Sequence, residues 1–142
     1  MSPDYRIVAR TPAIDDYRRL RTISGLTPRS AEAAAAGLPN TVFAVVIETQ
    51  ADETVGMGRV IGDNGLFFQI VDIAVDPAHQ GRGLGKAIMK ALVDHLRATV
   101  PAEAYISLIA DGEAHRLYAQ YGFQPTAPNS IGMALFLRSN EA

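Results

Sequence analysis

The stretch from Asp76 to Ala87, DPAHQGRGLGKA, sets glycine at 81, 83 and 85, immediately before residues with helical spacing. Glycine against a helix start costs roughly 0.5–1 kcal/mol relative to alanine, so three of them call for a reason. One reason is chemical. The first N–H groups of a helix have no partner within it and carry about half a positive charge, and bare backbone lets phosphate oxygens come close. The other reason is structural, a tight strand-to-helix turn. Two common phosphate loops are excluded by spacing. G-x-x-x-x-G-K-[ST] fails because Ala87 follows Gly85-Lys86 and Gln80 holds the first glycine position. G-x-G-x-x-G fails because its third glycine would fall on Lys86 or on Ile88. What remains is Q-x-x-G-x-G, from Gln80 through Gly83 to Gly85.

Composition narrows the chemistry further. The 142 residues contain no cysteine, which excludes disulfides, zinc–thiolate sites and a cysteine nucleophile. His79, His95 and His115 lack the close pairing of a metal-binding helix and read as solvated or packed side chains, so no metal is expected. Charge is near balance, 13 basic against 15 acidic residues, with no block of one sign. Nucleic acid and anionic membranes are therefore not expected partners, and any bound anion needs a local attractor. The N-terminus has no signal-peptide core and no apolar run approaches a membrane span, which points to the cytoplasm.

The elements that must position the loop follow from periodicity. Tyr5 to Ala9 alternates as a first strand; Ile14, Tyr17, Leu20 and Arg21 to Ile23 carry helical spacing, with Asp15 and Asp16 in the first turn. Ser30 opens a short helix, Ala31 to Ala36, stopped at Gly37-Leu38-Pro39-Asn40. Val42 to Ile47 and Val55 to Ile61 are apolar strands. Phe67 to Val75, FFQIVDIAV, is an apolar strand with one acid, covered on both faces. An amphipathic helix begins at Leu84, and a further strand runs from Tyr105 to Ala110. The second long helix starts at Asp111 as N-cap and ends before Gly122; its apolar stripe is Ala114, Leu117, Tyr118 and Tyr121. Strands at Phe123 to Thr126 and Gly132 to Leu137 close the sheet. The order is βααβββαβαββ, one α/β domain over residues 1–142 built on a mixed sheet.

The run VDIAVDPAHQGRGLGKAIMKAL, followed by ADGEAHRLYAQYGF, resembles the two signatures of the GNAT superfamily of acyl-CoA-dependent N-acyltransferases, across residues 69–123. The resemblance implies a mostly antiparallel central sheet flanked by helices, with acetyl-CoA as co-substrate. It assigns the coenzyme A pyrophosphate to Gln80, Gly81, Arg82, Gly83, Leu84, Gly85 and Lys86. The pantetheine falls along Ile73, Ala74 and Val75, where the Ile73 amide would serve as oxyanion donor. Tyr118, in Leu117-Tyr118-Ala119-Gln120-Tyr121-Gly122-Phe123, matches the tyrosine that protonates the departing thiolate, although its place on the apolar stripe equally suits a core residue. Asp111 stands where the family usually has asparagine, and an ionised aspartate cannot donate a hydrogen bond to the cofactor. Gln69 occupies the place of a glutamate base found in some members. Asp72 is the nearest carboxylate, readable as a base or as a buried structural acid; ordered water, or an amine arriving neutral, are the other routes.

Without cysteine, an acyl-cysteine intermediate is impossible, and direct attack of an amine in a ternary complex is the simpler route. The resemblance implies as acceptor a primary amine of a small molecule, in a pocket shaped by residues 23–40, and the slight net acidity favours a cationic amine. A coenzyme A-binding regulatory or sensor module, and an α/β domain whose loop holds nothing, are the alternatives. Gly132 to Leu137 is apolar on both faces and is expected to pair between two copies as a homodimer.

Overall fold

The apolar runs at 43–49 and 54–62 are buried on both sides because helices cover both faces of the sheet they form. The run 67–75, expected to be covered on both faces, buries only Phe68, Ile70 and Ala74 and leaves its other residues partly or fully exposed. A computed structural model describes residues 1–137. Its elements are β1 (Tyr5–Val8), α1 (Ile14–Ile23), α2 (Ala31–Gly37), β2 (Phe43–Thr49), β3 (Thr54–Gly62), β4 (Phe67–Val75), α3 (Leu84–Thr99), β5 (Tyr105–Leu108) and α4 (His115–Ala119), with short 3-10 turns at Leu38–Asn40 and Pro77–His79. The sheet order is β1-β2-β3-β4-β5; every pair is antiparallel except β4 with β5, which is parallel. The mixed, mostly antiparallel α/β architecture expected from the sequence is present. Among the described residues no helix is long and apolar enough to cross a membrane.

Two compact units divide the chain, Met1–Leu108 and Ile109–Ala142. In the first, alternation splits the core. Val46, Met57 and Ala74 pack with Tyr17, Leu20, Ala34 and Leu38 of the α1–α2 layer. Residues one step out of phase meet α3: a Cβ at Gly56 or Gly58 would touch Ile88, and α3 buries Leu84, Ile88, Met89, Leu92, Val93 and Leu96 as one stripe. Ser30 caps α2 by accepting from the Ala33 N–H at 3.0 Å, the start its sequence announces. The β3–β4 turn is held by Asp63, whose carboxylate accepts from the N–H groups of Leu66, Gly65 and Phe67, holding its pKa below the usual value.

In β4 the register breaks. Met57 faces Ala74 and Arg59 faces Val71, so Asp72 and Ile73 together lie opposite the single residue Gly58. That is a β-bulge, and Asp72 takes φ 60°, a left-handed backbone that costs about 1 kcal/mol or more outside glycine. Periodicity cannot show an extra residue of this kind, because both neighbours of the bulge keep their apolar pattern.

The second unit departs from the sequence expectation in two places. Its helix does not start at an Asp111 cap. Gly112 adopts φ 54°, the Asp111 carbonyl accepts from the Ala114 N–H at 3.0 Å, and helical backbone begins only at His115. A left-handed residue cannot sit inside a right-handed first turn, so the glycine moves the start. Gly122, at φ 95°, ends the helical region as expected. The strands expected at 123–126 and 132–137 do not form among the described residues, and β5 stops at Leu108 rather than Ala110. Pro125 and Pro128 remove two backbone donors, and the Ser130 N–H turns back to the Thr126 carbonyl at 3.0 Å. Without a paired neighbour, an apolar run gains no ladder and does not set as strand.

Candidate active site

β5 pairs with only the first half of β4, Phe67 to Ile70. From Val71 to Val75, β4 has β3 on one side and no strand among the described residues on the other. The direction of its peptide groups follows from one bond: the Asp76 N–H donates to the Val55 carbonyl at 2.8 Å, towards β3. Across a trans peptide the C=O and N–H oppose each other, and within a strand a residue's own two groups share one edge. The Val75 N–H and C=O and the Ile73 C=O therefore face the open edge. An unpaired strand edge of this kind accepts an extended chain as an added strand. Gln80 already touches its end, its Nε2 donating to the Val75 carbonyl at 3.1 Å.

The open edge leads into the glycine loop. Asp76 accepts from the Ala78 N–H at 2.9 Å and starts the 3-10 turn, while the Tyr5 hydroxyl sits 2.7 Å from His79 Nδ1. Gly81 and Gly83 hold φ 79° and 80°, and a Cβ on either would meet nothing within 4 Å. The structural reading is met, since the turn uses left-handed backbone at both positions, and the space beside them is open among the described residues. Gly83 is the N-cap of α3 and no side chain caps that helix. The N–H groups of Gly81, Arg82, Gly83, Leu84 and Gly85 donate to no described residue. Five consecutive free donors at a helix N-terminus form a site for an anion. Arg82 is exposed with no partner among the described residues, and Lys86 lies exposed in the first turn of α3.

On the α1 face of the bulge the Asp72 side chain, 5 % exposed, accepts from Arg21 Nη1 at 2.6 Å, Arg59 Nε at 2.8 Å and the Tyr17 hydroxyl at 3.1 Å. Arg21 also donates through Nε to the Thr27 carbonyl at 2.7 Å, and Arg59 to the Thr41 hydroxyl. Burial pushes the Tyr17 phenol above its ordinary pKa, and the Asp72 charge adds to the rise. Tyr17, Arg21, Thr41 and Arg59 were not among the expected site residues. Arg59, the one charge inside the apolar run 55–61, and Arg21, on the apolar stripe of α1, are the sequence signals that mark them. Gln69 lies in register with Ser107 and Ile61 in the paired half of β4.

The second unit holds Tyr118 and Asp111. Tyr118 is half-buried, and its hydroxyl has no hydrogen-bond partner among the described residues. Burial, then the nearby Asp111 charge, raise its pKa above the ordinary phenol value. It is therefore a protonated donor with nothing yet to donate to. The histidines have local roles: His95 stacks on Phe43 with ring centroids 3.7 Å apart, and His115 Nδ1 lies 3.1 Å from the Gly112 carbonyl.

Comparison with known proteins agrees with this geometry. The family model for the acetyltransferase (GNAT) domain matches residues 26–133. SA2161 from meticillin-resistant Staphylococcus aureus, a protein of unknown function, superposes with a TM-score of 0.87 at 42% identity, over 93% of this chain and 98% of that one. The chloroplastic GCN5-related N-acetyltransferase 2 of Arabidopsis thaliana is 36% identical over 85 residues, 59% of this chain and 32% of the relative. Histone acetyltransferase TAP1 of Glycine max is 34% identical over 56% of this chain and 33% of its own length. The chain thus spans about a third of the length of these curated relatives. With the family model covering most of the chain, the free amides and the open strand edge fall within a recognised domain: the chain belongs to the GNAT acetyltransferase family.

Proposed function

We propose that this protein is an N-acetyltransferase that moves an acetyl group from acetyl-CoA to a primary amine of a small molecule, by direct attack in a ternary complex. The observation that carries this reading is the run of five unpartnered N–H groups from Gly81 to Gly85, continuous with the open edge of β4. The amides take the coenzyme A pyrophosphate, and the pantetheine lies along Ile73, Ala74 and Val75 as an added strand. The amine nitrogen forms a bond to the thioester carbon, the C–S bond breaks, and its electron pair leaves on sulfur. Tyr118 gives its proton to that sulfur, and the nitrogen loses one proton to water.

Asp72 does not take that proton in this reading. Two guanidiniums and a phenol already occupy its carboxylate, so its part is to hold the bulge beside Ile73. An amine arriving neutral, or ordered water, accounts for deprotonation. A coenzyme A-binding module without turnover is the second reading, favoured by Gln69 and Asp111 standing in place of the family's glutamate and asparagine.

Thermal unfolding with acetyl-CoA tests the site. At 100 times the dissociation constant, the fold gains about 2.7 kcal/mol, and Gly83→Glu abolishes the shift by placing a carboxylate among the amides. No shift in the unaltered protein rejects both coenzyme A readings. Release of free thiol with a panel of primary amines then separates enzyme from sensor.

A further inference from the structure

Within the acyltransferase reading, on which this rests, we propose that the acceptor amine also carries an anionic group, held by the guanidiniums of Arg21 and Arg59 on the α1 face of β4. These arginines are only 7% and 8% exposed, yet they share a single carboxylate, that of Asp72. The cluster therefore holds one positive charge in excess. Among the described residues no acid other than Asp72 pairs with either arginine.

A buried charge without a counterion is costly, and beyond hydrogen bonds the only further compensation among the described residues is the face of the Tyr17 ring, 5.7 Å from the Arg59 guanidinium. The donor inventory points the same way. Arg21 uses Nε and Nη1, and Arg59 uses Nε and Nη1, leaving Nη2 of each without a partner among the described residues. No buried polar side-chain atom among the described residues lacks a hydrogen bond, so both Nη2 groups reach solvent. Two guanidinium edges that reach solvent suit a carboxylate or a phosphate. Position supplies the functional link. Asp72 immediately precedes Ile73 on the strand assigned to the thioester, and Arg21 Nε is bonded to Thr27 in the α1–α2 loop. The chain's slight overall acidity, which by itself favours a cationic amine, is reversed at this spot.

The test compares matched acceptors on the unaltered protein: β-alanine with its amide for a carboxylate, and phosphoethanolamine with ethanolamine for a phosphate. The expected result is kcat/KM at least tenfold higher for the anionic member of one pair, which also tells carboxylate from phosphate. Equal rates, or preference for the neutral member in both pairs, overturn the proposal. Arg59→Gln and Arg21→Gln are expected to raise KM for the anionic acceptor about tenfold or more, well beyond any change in KM for acetyl-CoA; an equal rise in both constants counts against it. Acetyl-CoA binding, read separately by thermal shift, keeps the two conclusions apart. Its loss strikes the acyltransferase reading, whereas a preserved shift with neutral amines preferred strikes the anion site alone.

Discussion

Tyr118 shows how little a residue's type says about its state. On the sequence it matches the family's acid tyrosine yet sits in an apolar helical stripe that suits a core residue; in the structure it is half-buried with its hydroxyl unpartnered among the described residues. Its raised pKa keeps the phenol protonated beyond the ordinary value near 10. A proton donor works below its pKa and fails as pH rises through it, so with Tyr118 as the proposed acid no alkaline limit on turnover is expected from it up to about pH 10. Tyr118→Phe is expected to lower kcat by about 100-fold with KM for acetyl-CoA little changed, read by steady-state thiol release; unchanged kcat removes the acid role. Because the Asp111 charge contributes to the rise, Asp111→Asn is expected to move any alkaline limb of kcat against pH downward. A limb that stays in place separates the two residues.

At the scale of elements, the glycine loop and the β4 bulge differ in how visible they were. The loop was legible. Its glycines, the preceding DP and the helix after it are local features, and the structure gives Gly81 and Gly83 the left-handed backbone and open space such residues permit. The bulge was not legible, since one extra residue in an apolar strand leaves the pattern intact. Gly58 marks it only in three dimensions. A Cβ there would lie 2.5 Å from Ile88 Cγ2 and 2.8 Å from Ile73 Cδ1. Gly58→Ala is thus expected to destabilise the fold by about 1–3 kcal/mol through overpacking, read as a lower denaturant midpoint with unchanged slope. Gly62→Ala is expected to cost more, because its Cβ would run into the Phe67 carbonyl oxygen, and backbone gives way less readily than a side chain. A neutral outcome at Gly58 would mean that Ile73 and Ile88 have room to move apart, and that the bulge is not fixed from the α3 side.

For the molecule as a whole, the segment 131–137 is the open matter. Ile131, Met133, Leu135, Phe136 and Leu137 are between 71 and 89% exposed, an apolar run of the kind that soluble proteins rarely leave uncovered. We expect it to pair between two copies. Light scattering across a concentration series is expected to give twice the chain mass, and Phe136→Asp to return the monomer; a monomeric mass throughout rejects the pairing. The sequence by itself determined what depends on near neighbours: strand and helix periods, the Ser30 cap, the glycine turn before the start of α3 and the absence of a thiol nucleophile. Only the tertiary structure decided which distant groups share a charge, as with Asp72 and Arg21, 51 residues apart, and which apolar runs become strands. The physical reason is that a turn or a cap closes within a few residues of chain. An ion cluster across a sheet and a strand ladder exist only when a partner from elsewhere arrives, and periodicity carries no record of that partner.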